Sequence, residues 1–107
     1  MEQVEYFMDG KRSLAEKYRF FLKNKEITFY PEPKFSKANY WLNSVLLKDQ
    51  NELYAFLAFT NANGVMTRPA WRLMQKLHMF NTCIKGDLSN SKWIEDRFVI
   101  LPSSVCL

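Results

Sequence analysis

The residues best equipped for chemistry lie in one run, Val65-Met66-Thr67-Arg68-Pro69-Ala70-Trp71-Arg72. Arg68 follows what reads as a strand end and precedes a proline, so its guanidinium fork is positioned before any ligand arrives. A fixed cation beside the indole of Trp71 suits an anionic, ring-bearing ligand. The plainer reading is a surface arginine stacked on Trp71. Upstream, Asn39-Tyr40-Trp41-Leu42-Asn43 sets two aromatic rings between two amides. Alternation along a strand sends one ring inward and the other outward; Trp41 is read as core and Tyr40 as the ring whose hydroxyl reaches a ligand. Asn39 and Asn43 are weaker polar contacts. His78 is the one histidine, a residue type able to act as acid or base, but no carboxylate adjoins it in sequence. Cys83 has no partner base, and a hydrolase built on Cys83 and His78 lacks a third, orienting residue.

These residues need elements to hold them. Val4, Phe7, Met8, Leu14, Ala15, Tyr18, Phe21 and Leu22 recur at three and four, with Glu5, Arg12, Glu16 and Arg19 opposite, which predicts an amphipathic helix of about two dozen residues. Gly10 near its middle costs about 1 kcal/mol relative to alanine. Ile27-Thr28-Phe29-Tyr30 is a short β-prone run stopped by Pro31 and Pro33, and Tyr40 to Leu47 is a longer strand with burial on both faces. Asp49 with Glu52 starts a second helix along Leu53, Phe56, Leu57 and Thr60, and Asn63-Gly64 stops it. Val65-Met66-Thr67 reads as a strand ended by Pro69, and Trp71 to Leu77 as a helical turn or two. Ser89 or Asn90 caps a last short helix carrying Trp93, Ile94 and Arg97, and Phe98 to Leu101 is the final strand. The order α, β, β, α, β, α, β predicts an α+β fold: a small mixed sheet with helices on one face and a long N-terminal helix.

Composition bounds the rest. At 107 residues, 48% hydrophobic, the chain can bury one modest core. Aromatics reach 16%, implying a large aromatic core or a face awaiting a partner. The net charge of +4 is spread evenly, eight Lys/Arg against six Asp/Glu in residues 1–37 and seven against five in residues 38–107. Without a basic cluster, nucleic acid is not the expected partner. No apolar run approaches the roughly twenty residues that span a bilayer, and the N-terminus lacks the pattern of a signal peptide, so no membrane partner and a cytoplasmic location are expected. Cys83 and Cys106 match no metal or redox spacing; the count allows a disulfide between them without requiring one.

The order and spacing of the Asn39–Asn43 run, the Val65–Met74 run, Asp87 to Trp93 and Leu101 to Val105 resembles the C-terminal end of the DegT/DnrJ/StrS-type pyridoxal-phosphate sugar aminotransferases. The likeness is greatest to the LegC-like branch that aminates UDP-linked keto sugars, and it covers nearly the whole chain. Those enzymes are three to four times longer as a family. The resemblance therefore implies residues 1–25 as a helix bridging to a large domain and residues 26–107 as the small C-terminal α+β domain. It implies no catalytic residue here: the Schiff-base lysine, the aspartate on the pyridine nitrogen and the phosphate-binding groups belong to the large domain, and Lys48 and Lys76 match none of them.

The implied cofactor is pyridoxal phosphate in the full-length enzyme and none for this chain alone. The implied partners are the missing large domain, a homodimer partner and a nucleotide-linked 4-keto sugar, in a pathway making surface or capsular sugars. Arg68, Tyr40, Trp71, His78 and Asn39 are the substrate contacts it points to, with His78 lining the active-site mouth. Many relatives carry a His-Tyr-x-Pro segment where Arg68-Pro69-Ala70-Trp71 stands here, which leaves the group facing Arg68 open. Trp93, Phe98 and Leu101 match packing positions. The alternative from another class is a free-standing α+β interaction module with no catalysis.

Overall fold

The computed structural model describes residues 3–105. Helix α1 (Val4–Leu22) leads into a short strand β1 (Thr28–Phe29), a loop through residue 42, and strand β2 (Asn43–Leu46). Helix α2 (Gln50–Ala62) then precedes β3 (Arg68–Pro69), two single 3-10 turns (Met74–Lys76 and His78–Phe80), helix α3 (Ser89–Glu95) and strand β4 (Phe98–Leu101). The fold is α+β, as the periodicities predict, in the order β1-β2-β4-β3. Every pairing is antiparallel where a mixed sheet was expected. The connections explain this: β1 returns onto β2 through a loop, and β4 closes between β2 and β3, so no strand needs a parallel crossover.

Antiparallel pairing puts opposed residues on one face. Asn43, Val45, Val99, Leu101 and Phe29 share the face that carries the core, where Val45 and Val99 are fully buried with Ala15 of α1 and Leu53 of α2. Tyr18, Leu22, Phe56 and Leu57 complete the packing, so α1 and α2 both cover this one face. Near 25 cal/mol per Å² of apolar surface, that layer is the main driving force for the fold.

The predicted helix start at Asp49 is present. Its carboxylate accepts the Glu52 N–H at 2.9 Å, and the Glu52 carboxylate reaches back to the Lys48 N–H at 2.6 Å. Gly64 takes φ +77°, the left-handed stop, which only glycine adopts without strain.

Other expectations are corrected. Helix α1 has 19 residues and not two dozen. The third strand falls on Arg68–Pro69 and not on Val65-Met66-Thr67. Pro69 is tolerated inside it because β3 lies at the sheet edge, where a missing N–H breaks no ladder bond, and Ala70 N–H resumes bonding to the Phe98 carbonyl at 3.1 Å. Helix α3 is capped by neither Ser89 nor Asn90. The Asp87 carboxylate instead accepts the Ser89 N–H at 3.0 Å and its hydroxyl at 2.7 Å, and these bonds hold Asp87 below the usual carboxylate range. Trp93 is not packed away but half exposed under the Arg97 guanidinium, 4.7 Å from its ring centre. Cys83 is exposed; Cys106 lies outside the described residues.

Candidate functional site

Among the described residues, the helices α1 and α2 pack on the core face, and the second face of the sheet carries neither. Pairing aligns Thr28, Leu46 and Phe98 in one row. The next row runs Tyr30, Ser44, Ile100, Arg68, because Tyr30 N–H donates to the Ser44 carbonyl at 2.9 Å and Ser44 and Arg68 both pair with Ile100. Tyr30 stands edge-on to Phe98, with ring centres 6.2 Å apart. Arg68 projects from the edge strand, exposed, its Nη2 3.4 Å from the Met66 sulfur. Among the described residues it lies over no aromatic ring, so the stacked Arg68–Trp71 pair of the plainer reading does not form.

At the Tyr30 end this face opens into a groove of about 280 Å³. Tyr30, Pro31, Pro33, Ala38, Asn39, Tyr40, Trp41 and Ser44 line it, with Glu32 and Leu42. The chain reaches it through an unusual backbone. Phe35 (φ 63°) and Tyr40 (φ 46°) both sit in the left-handed region, which bulky side chains seldom adopt and which costs about 1–3 kcal/mol per residue. This turn corrects the expected strand from Tyr40 to Leu47: strand alternation begins only at Asn43. It also reverses the two aromatic rings. Tyr40 packs against the core, and Trp41, expected there, is 66% exposed.

Helix α1 holds the strained turn in place. Arg12 forks onto both Glu32 carboxylate oxygens, at 3.0 and 3.2 Å, and donates to the Ala38 carbonyl at 2.7 Å. Glu32 also accepts the Ala38 N–H, and its own N–H donates to the Tyr40 hydroxyl at 3.2 Å. The Arg12 guanidinium lies 5.6 Å from the Tyr40 ring centre. The Arg12 hydrogen bond, followed by the Ala38 N–H, holds the Glu32 carboxyl below its ordinary range and raises Arg12 in turn. Lys11 donates to the Ser103 carbonyl at 2.6 Å and reaches the Trp41 carbonyl at 3.4 Å. The groove wall is thus fixed from a helix twenty residues earlier in the chain.

The predicted residues divide as follows. Asn39 and Tyr40 meet in the groove, where the Asn39 amide oxygen accepts the Trp41 N–H at 3.0 Å. Arg68 lies in the row of Tyr30, another residue of the groove, three strand spacings from it, roughly 14 Å. Trp71 and His78 lie beyond the β3 edge, both exposed, and line none of this groove. Asn43 is buried on the opposite, core-side face: its N–H and amide nitrogen donate to the Ser103 hydroxyl at 2.7 and 3.2 Å. Sequence reasoning missed Tyr30 and Ser44. Only the strand register places them beside Arg68, and no local pattern carries that register.

Beyond β3, Glu95 fastens the next segment by accepting the Leu73 N–H at 3.0 Å and pairing with Lys76. Burial raises the Glu95 pKa, but the Lys76 hydrogen bond and the other cationic and N–H contacts outweigh it and leave the carboxyl below its ordinary range. Arg72 and Lys76 line a second cavity of about 460 Å³ with Gln50, Tyr54, Glu95 and Asp96.

Among solved structures, the chain superimposes on an aminotransferase, TlmJ from Streptoalloteichus hindustanus, with TM-score 0.84 at 18% sequence identity. The match covers 95% of this chain and 28% of that one, so the chain spans little more than a quarter of the length of that protein. No family model matches the sequence, and no curated protein matches it.

Proposed function

We propose that this chain is the small C-terminal domain of a pyridoxal-phosphate aminotransferase of the DegT/DnrJ/StrS type, acting on a nucleotide-linked 4-keto sugar. Its work is to wall and close the substrate cleft, and it does not transaminate alone. The observation that carries this reading is the sheet face opposite the core, with the exposed Arg68 guanidinium at one end and an aromatic groove at the other. A nucleotide-linked sugar has that chemistry: diphosphate for the Arg68 fork, and rings for Tyr30 and Trp41. In this reading the Tyr40 hydroxyl, which accepts from Glu32 N–H, still has its own proton to donate into the groove, and the Asn39 amide nitrogen is a second donor. Trp71 and His78 serve at the mouth of the cleft, on the side of Arg68.

Further support comes from shape. The chain measures 46 × 33 × 27 Å, with a radius of gyration of 15.9 Å, against about 13 Å for a compact domain of this size. Phe20 and Phe21 at the end of α1 are 83% and 67% exposed, as expected of a helix that bridges to a missing domain. Lys11 donates to backbone carbonyls and Lys76 pairs with Glu95, so both ammonium groups are engaged, whereas attack on an aldehyde needs a free amine. The cofactor, which supplies the electron sink for amine transfer, then belongs to the part of the enzyme outside these residues.

The test is titration of the chain with a UDP-sugar, followed by amide NMR shifts and tryptophan fluorescence. Shifts should concentrate at Tyr30, Ser44, Ile100 and Arg68, and Arg68→Ala should weaken binding about tenfold or more. Shifts confined to the helix-covered side, or a visible-absorbing internal aldimine on mixing the chain alone with pyridoxal phosphate, would refute the proposal. The second reading, a free-standing interaction module, is favoured by the same exposed aromatics. A lysine-bearing large domain encoded immediately upstream in the same frame would decide against it.

A further inference from the structure

We infer that the cleft between the C-terminal halves of α1 and α2 is a binding site for a small aromatic carboxylate, its ring held inside and its carboxylate on Lys25. The inference is independent of the proposed activity, because the cleft lies on the helix-covered side of the sheet and shares no residue with the Tyr30 groove. It holds about 230 Å³. Val45, Thr67 and Leu101, all buried, form its floor, while Phe21, Lys25 and Val65, all exposed, stand at its mouth. Both helices end beside it, α1 at Leu22 and α2 at Ala62, which leaves this margin of the core open.

The wall selects the occupant. Its hydroxyls are already engaged within the protein: Tyr18 donates to the Pro102 carbonyl at 2.8 Å, and the Thr60 hydroxyl meets the Phe56 carbonyl and the Thr67 hydroxyl. A buried water needs roughly two to four polar partners, so little holds water inside. A dry apolar cavity of about 150 Å³ takes benzene; this one has room for a ring and a short tail. Tyr18, Phe21 and Phe56 line it and offer the ring edges and faces that favour an aromatic occupant. Lys25 sets the sign of the head group. Among the described residues it is the one charged side chain on the wall and pairs with no carboxylate. Its Nζ stands 5.2 Å from the Phe21 ring centre, and cation–π attraction holds it at the mouth. The Leu22 carbonyl at the helix end already accepts the Lys25 N–H at 2.9 Å, so the ammonium is the charge that an entering ligand meets.

Methyl NMR of the full chain titrated with 3-phenylpropionate tests the inference, with 3-phenylpropan-1-ol, 3-phenylpropylamine and hexanoate alongside. A ligand of this size should bind with a Kd of about 0.1–5 mM. Ring-current shifts should concentrate at the methyls of Ile27, Val45, Val65 and Leu101. The aromatic acid should bind more tightly than the alcohol by about threefold to fivefold at low salt, and more tightly than hexanoate; the amine should be the weakest of the three aromatic probes. Lys25→Gln, at an exposed position, should erase the preference for acid over alcohol and leave the affinity for the alcohol unchanged, an outcome that a general loosening of the cleft would not give. Absence of shifts at these methyls up to about 20 mM ligand, or shifts scattered over the outer faces of the helices, overturns the inference. So does an amine or hexanoate that binds as well as 3-phenylpropionate, or a preference for the acid that survives Lys25→Gln.

Discussion

Replacing Gly10 by alanine tests how the C-terminal segment seats on α1. In a solvent-exposed helix interior, Gly→Ala stabilises by about 1 kcal/mol, because alanine loses less backbone entropy. At Gly10 a Cβ would lie 2.7 Å from Val105 Cγ1 and 3.4 Å from Cγ2. Valine is stiff at χ1, so the clash cannot be relieved by a terminal rotation, and either the segment or the helix must move. Overpacking of this kind costs about 1–3 kcal/mol. The propensity gain offsets part of it, leaving Gly10→Ala destabilising by about 1 kcal/mol. Val105→Ala removes the methyls that clash and costs less than that, because Val105 is only partly buried. The double variant should then recover the propensity gain and be more stable than Val105→Ala alone. Urea unfolding of the four chains gives a coupling energy of about 1–2 kcal/mol, favourable in sign. If Gly10→Ala stabilises in the parent, or if the two changes simply add, the segment after Pro102 does not pack on α1 and the reasoning fails.

Two further outcomes follow from the geometry. Glu32 has a folded pKa depressed below its unfolded value, first by the Arg12 hydrogen bond; its contribution is therefore full above the ordinary glutamate range and is lost as the pH falls through the lower folded value. Glu32→Gln should flatten the acid limb of stability, read by urea midpoints between about pH 6 and pH 2, and should blue- or red-shift Trp41 emission as the groove turn loosens. Asp49→Ala removes the acceptor for the Glu52 N–H and should cost about 1 kcal/mol, with Asp49→Asn or Asp49→Ser retaining most of it; thermal melts provide the measurement.

How much of this was legible depended on how local the cause was. Helix α2 could be read to its ends because Asp49, Glu52 and Gly64 act within a few residues of themselves. Arg68 could be singled out from its neighbours, but not its row, since Tyr30, Ser44 and Ile100 reach it only through pairings between strands far apart in sequence. Tyr40 and Trp41 were exchanged because alternation assumes an extended backbone, and a tether from Arg12 through Glu32 instead holds Tyr40 at positive φ. Pro69 reads as a strand end because nothing local distinguishes an edge strand, which tolerates proline, from an inner one. By residue totals the charge is evenly spread; that the exposed side of α2 from Tyr54 onward carries none emerges only when the helix is wound and its buried side assigned.

The row from Tyr30 to Arg68 draws one residue from each of four strand lines, from Tyr30 in the first third of the sequence to Ile100 near its end. No fragment that loses β1 or β4 can present it, and partial unfolding at either margin dismantles it. A molecule that grips the whole row therefore acts as a cross-brace: its binding free energy is added to the cooperative stability of the sheet, and melting temperature becomes a direct gauge of occupancy.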